Sequence, residues 1–169
     1  MDTMTLDVEQ SQYLTFRLGD EEFGVGILQV KEILEYGGIT RVPMVPDFIR
    51  GVINLRGNVV PVVDLAMKFG MPKRDVTNRS CVVIVEVSLG GEQTTMGVLV
   101  DAVSQVMDIL PHEIEPPPPF GAKIKVDFIQ GMGKTERKFI ILLDIDKVLS
   151  GEEMTAIAQA ASSGSLAAA

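Results

Sequence analysis

The chain has 169 residues, 46% of them hydrophobic and 5% aromatic, with no Trp and a formal net charge of −8. That length and apolar content suit one domain or two small subdomains and argue against a disordered chain. No basic stripe marks a nucleic-acid binder, and a single cysteine, Cys81, excludes an internal disulfide and favours a reducing compartment.

Residues 1–11 read as a polar tail without the basic and apolar regions of a signal peptide. No apolar run reaches the roughly 18 residues of a membrane span, so a cytoplasmic protein is expected. Residues 13–18 alternate as a half-buried strand, 19–22 turn, and 23–27 return as its partner. Residues 30–33 are extended. Gly37 and Gly38 break the chain, and Pro43 and Pro46 make 41–48 a connecting loop.

Residues 48–65, FIRGVINLRGNVVPVVDL, read as a hairpin with its turn at Arg56, Gly57 and Asn58 and its second strand closing at Asp64. A helical turn over 65–69 is stopped by Gly70, with Pro72 just beyond. After a polar connector, 81–87 form a strong strand, Gly90 and Gly91 turn it back into 96–100, and 102–109 follow with apolar points at Val103, Val106 and Met107. Residues 116–119 are four consecutive prolines, a rigid extended loop or a proline-rich ligand for another domain. Residues 128–145 are the last strand pair. Ser150 and Glu153 fit a capping box opening a short C-terminal helix, followed by a frayed tail.

The hairpin recurs. FIRGVINLRGNVVPVVDL aligns without a gap on FIQGMGKTERKFIILLDI, eighty residues later, with Phe48/Phe128, Ile49/Ile129, Gly51/Gly131 and Asp64/Asp144 in register. Upstream, FGVGILQVKEI from Phe23 lies on MGVLVDAVSQV from Met96, Gly24 over Gly97 and Val30 over Val103. The expectation is an all-β fold of two five-stranded barrels, residues 12–80 and 81–150, with residues 151–169 as helix and tail. Barrels leave no exposed sheet edges, and units of this size must pack together. Whether a strand crosses between them is left open by the pattern.

Chemistry is sparse. His112, the lone histidine, sits in a loop without a partner for acid–base work or metal binding. Cys81 precedes an apolar run and reads as a small buried hydrophobe. Asp64 and Asp144 could be a carboxylate pair, but each closes a strand, where accepting backbone N–H bonds is the simpler role; Asp101 reads the same way. No glycine-rich phosphate motif follows a strand, and no cofactor or metal is expected. The copies differ at the hairpin tip: Arg56, Gly57, Asn58 in the first and Glu136, Arg137, Lys138 in the second. An arginine on a tight turn is either a solvated surface charge or an anchor for a protein partner.

Residues 14–33, residues 41–65 with GVINLRGNVVPVVDL, and residues 81–87, 96–106 and 128–149 together resemble the CheW-like coupling proteins of bacterial chemotaxis, and the NLRG…P…DL segment is specific to them. The resemblance implies two SH3-like barrels and a scaffold without catalysis. It would link the histidine kinase CheA, through that kinase's regulatory domain of the same fold, to the cytoplasmic tips of chemoreceptors. It implies partner contacts at Val30, Glu32, Gly51, Arg56, Val82, Val83, Val103, Val106 and Gly131. A coupling protein serving another receptor–kinase pathway is the alternative within the family; an enzyme using Asp64 and Asp144 is the alternative outside it.

Overall fold

The computed structural model describes residues 11–72, 75–89, 91–116, 128–134 and 138–148. Its strands are β1 (Gln12–Leu18), β2 (Glu21–Gly26), β3 (Val30–Glu35), β4 (Ile49–Leu55), β5 (Asn58–Asp64), β6 (Cys81–Leu89), β7 (Glu92–Val100), β8 (Ala102–Asp108), β9 (Ile114–Glu115), β10 (Ile129–Lys134) and β11 (Phe139–Leu143). One short helix, α1 (Leu65–Lys68), follows β5; the Asp64 carboxylate accepts the Met67 N–H at its start, and Gly70 at φ 84° follows its end. The expected capping box at Ser150 and Glu153, the C-terminal helix and tail at 151–169 and the prolines at 117–119 lie outside the described residues, as does Gly90 of the expected glycine turn.

Strands without alternation need cover on both faces. β6 is such a strand. Val83, Val85 and Val87 enter a core between the sheets, while Val82 and Ile84 join Ile53, Val60, Val62 and Leu99 in a second core inside the five-stranded sheet β3-β6-β7-β5-β4. β11 repeats the arrangement. Ile141 and Leu143 face the shared core, and Ile140 and Leu142 pack with Tyr13 and Ile109 inside the six-stranded sheet β8-β1-β2-β11-β10-β9.

In each sheet the chain that leaves one edge strand, β3 or β8, returns to the far side of the same sheet. Thr40 exchanges backbone hydrogen bonds of 2.8 Å in both directions with Val52 of β4, and β9 pairs with β10 through Glu115 and Met132 in the other sheet. The all-β pair of SH3-like barrels expected from the repeat and the resemblance is thus the observed fold.

The strand pairing does not follow the boundary expected at 80/81. β1 and β2 from the first half lie in the middle of the six-stranded sheet, between β8 and β11; β6 and β7 from the second half lie in the middle of the five-stranded one. The exchange is reciprocal. It follows from short crossings: a 3₁₀ turn at Ile27–Gln29 separates β2 from β3, and Asp101 alone separates β7 from β8. Such links swing the chain from one sheet to the other and leave no length to fold back.

The register is duplicated too. Gly97 pairs with Val62 and Gly24 with Leu142, both in parallel ladders. The bulges at Ile49/Gly51 and Ile129/Gly131 coincide. Asp64 N–H donates to the Phe48 carbonyl at 2.6 Å, and Asp144 N–H to that of Phe128 at 2.8 Å.

Candidate partner-binding surface

The β4–β5 turn has two central residues, Arg56 at φ 52° and Gly57 at φ 87°, with Leu55 paired to Asn58. Both in left-handed backbone is the primed hairpin geometry, and the Asn54 side-chain oxygen accepts the Gly57 N–H at 2.8 Å. Asn or Gly is the usual residue at the first central position; Arg there takes a backbone conformation that few side chains adopt. The guanidinium is pinned by a two-pronged contact to Glu32 of β3, at 2.8 and 3.3 Å. The Glu32 carboxylate, by hydrogen bond and charge, raises the Arg56 pKa above its ordinary value. Arg56 is 72% exposed and Glu32 27%, so the pair lies on the surface.

β3 supplies Glu32 through a register shift. Val30 pairs with Val85 and Glu32 with Ile84, the extra residue falling between them. Val30 is therefore half-buried against the shared core while Glu32 follows the opposite face toward Arg56. The displaced Lys31 reaches Glu86 of β6 at 2.6 Å.

The other residues named from the resemblance divide. Val103, repeat counterpart of Val30, is likewise half-buried against the shared core, and Val106 is 49% exposed on β8. Val82 and Val83 are corrected from contacts to core. Both are buried, one inside the five-stranded barrel and one between the barrels, because β6 is covered on both faces. Gly51 and Gly131 are also buried and serve backbone approach. At Gly51, φ is 148° and an added Cβ would run into the Thr40 carbonyl that closes the barrel; at Gly131 it would meet the Ile114 side chain.

Ile33, Val59 and Phe139 are exposed apolar residues that the sequence reading did not single out, whereas it did name Val106. Ile33 and Val106 stand three residues past Val30 and Val103, and Val59 and Phe139 are eighty apart. All four are exposed at repeat-equivalent positions. Comparing the copies position by position could have raised them as pairs, but exposure is not written in runs such as VVPVV. Met44 is 99% exposed at φ 63° between Pro43 and Pro46.

The residues weighed for catalysis have local partners. Asp64 pairs with Arg50 at 3.0 Å, both largely buried, and caps α1. Asp144 lies 3.7 Å from Lys147. Asp101 accepts the Gly19 N–H at 2.8 Å. The Cys81 thiol donates to the Arg79 carbonyl, and His112 sits exposed in a 3₁₀ turn. Among the described residues no group of three or more His, Cys, Asp or Glu is placed to hold a metal ion. In the second copy, Lys138 reaches Glu22 at 3.2 Å, while Glu136 and Arg137 lie outside the described residues.

Two closed barrels locked around one core, with a charged turn at the surface, define a binding scaffold of the double-barrel class. The chain belongs to the CheW-like domain family, which matches residues 12–153. It is 39% identical over 152 residues to the chemotaxis protein CheW of Klebsiella aerogenes, covering 90% of this chain and 89% of that one. It is 31% identical over 158 residues to CheW of Thermotoga maritima, covering 92% and 97%. The crystal structure of the scaffolding protein TtCheW from Thermoanaerobacter tengcongensis superposes with a TM-score of 0.76 at 36% identity, over 85% of this chain and 90% of that one.

Proposed function

We propose that this protein is a non-catalytic chemotaxis adaptor of the cytoplasm that couples the histidine kinase CheA to the cytoplasmic tips of transmembrane chemoreceptors. The observation that carries the site is Arg56. The turn places an arginine where backbone preference favours Asn or Gly, exposes it, and orients it with Glu32. Packing does not call for a guanidinium there, whereas an oriented arginine at a surface is a strong recognition group for a protein partner. Val106, exposed on β8 of the other sheet, and half-buried Val30 and Val103 are the apolar contacts that the family resemblance adds to this reading. The chemotaxis names of the relatives and the scaffolding name of the solved structure support the adaptor role. Among the described residues no helix is long and apolar enough to cross a membrane.

The test is retention of the kinase regulatory domain and, separately, of a receptor-tip fragment on immobilised protein. Arg56→Glu reduces retention of at least one of them with an unchanged circular dichroism spectrum. Full retention of both by the charge-reversed protein removes Arg56 from the site.

A further inference from the structure

The repeat runs along the chain, but the ladders run across it. Four strand pairings join residues before the connector at 75–79 to residues after it. β1 pairs with β8 from Gln12/Asp108 to Arg17/Ala102, and β2 with β11 at Phe23/Ile141 and Gly24/Leu142. β3 pairs with β6 from Val30/Val85 to Glu35/Cys81, and β5 with β7 from Val62/Gly97 to Asp64/Leu99. Each exchanged hairpin sits in the middle of the sheet it enters. The two hairpins also supply facing walls of the shared core: Leu14, Phe16, Leu18, Phe23 and Val25 from one, Val83, Val85, Met96, Val98 and Val100 from the other.

We infer that the chain is the covalently joined form of a hairpin-exchanged pair, whose halves complete one another and do not need the connector to stay together. A half on its own has a sheet with its central strands missing and an open apolar wall, the condition that drives exchange between separate chains. The two halves cannot part without breaking ladder hydrogen bonds in both sheets. The barrels themselves are tied to one another by the shared core and by the short links at Ile27–Gln29 and Asp101, not by ladders. The inference does not depend on which surface binds which partner.

The test uses the full chain with a protease recognition sequence inserted between Asp75 and Val76, exposed residues outside any strand. After folding and cutting, the two pieces are expected to co-elute at the volume of the uncut chain with its circular dichroism spectrum, and to part only in denaturant. Separate elution in plain buffer, or loss of the spectrum on cutting, overturns the inference. Native-state hydrogen exchange on the unaltered chain gives an independent reading and decides the matter if the insertion prevents folding. The amides of β1 and β2 are expected to open together with those of β8 and β11. Opening of β1 and β2 with β3–β5, while β8–β11 stay protected, overturns it equally.

Discussion

Gly51→Ala separates a residue that binds from a residue that shapes the fold. Gly51 is buried at φ 148°, and the new Cβ would enter the space of the Thr40 carbonyl. That backbone region costs a non-glycine residue on the order of 1–3 kcal/mol. Pushing Thr40 away also breaks its two 2.8 Å hydrogen bonds with Val52, each contributing roughly 0.5–1.5 kcal/mol. The expected loss is about 2–6 kcal/mol, a large share of the roughly 5–15 kcal/mol that holds a typical domain folded. Gly131→Ala is the internal comparison at the same repeat position. Its Cβ meets the Ile114 Cγ2 methyl at 2.5 Å and the Glu115 carbonyl oxygen at 3.1 Å, but its φ is not positive and no barrel-closing hydrogen bond is displaced. A loss of about 1–3 kcal/mol is expected, in the usual range for overpacking. Urea unfolding followed by circular dichroism reads both variants. The reasoning is refuted if Gly51→Ala unfolds within 1 kcal/mol of the parent, or if Gly131→Ala is the more damaging; loss of partner retention at unchanged stability would restore Gly51 as a contact.

Exchanging the charges, Arg56→Glu with Glu32→Arg, keeps the ion pair while reversing what a partner meets. Stability close to that of the parent with retention still lost is expected by the same pull-down, and recovered retention would mean that the pair serves only the fold. Burial raises the Tyr13 pKa above its ordinary value, and Gln130 opposes this more weakly. The unfolded chain therefore ionises first, so Tyr13 stabilises the fold fully below about pH 10 and loses that contribution as pH rises through the folded-state pKa. Unfolding midpoints across alkaline pH should fall more steeply for the parent than for Tyr13→Phe. Met44→Asn removes an exposed methionine from left-handed backbone, where Asn is better accommodated, and is expected to raise stability by roughly 0.5–1 kcal/mol in the same denaturation assay.

Much of this architecture can be read before any coordinates. The pairing of Phe48 with Phe128 and of Asp64 with Asp144 announces two equivalent hairpins, and the backbone bonds Asp64–Phe48 and Asp144–Phe128 realise that equivalence. Partnership between hairpins is another matter. Two copies with the same pattern of apolar residues fit their own sheet or the other's, and the choice is made by the short links at Ile27–Gln29 and Asp101, which carry no compositional mark. Likewise, Val82 and Val83 belong to an unbroken apolar run, and a strand buried on both faces offers no alternation from which to tell core from contact. Arg56 was legible for the opposite reason: a long charged side chain stands in a tight turn that its repeat counterpart builds from different residues.

The parallel pairing of Phe23 with Ile141 has a consequence for synthesis. The first hairpin leaves the ribosome early, but the strand that flanks it in the finished sheet is made roughly a hundred residues later, several seconds or more at about 5–20 residues per second. During that interval Leu14, Phe16, Phe23 and Val25, buried in the finished core, lack the strands β8 and β11 that flank their hairpin in the sheet. A nascent chain of this kind has to be shielded or kept apart from its neighbours on a polysome, since the nearest identical hairpin belongs to another copy.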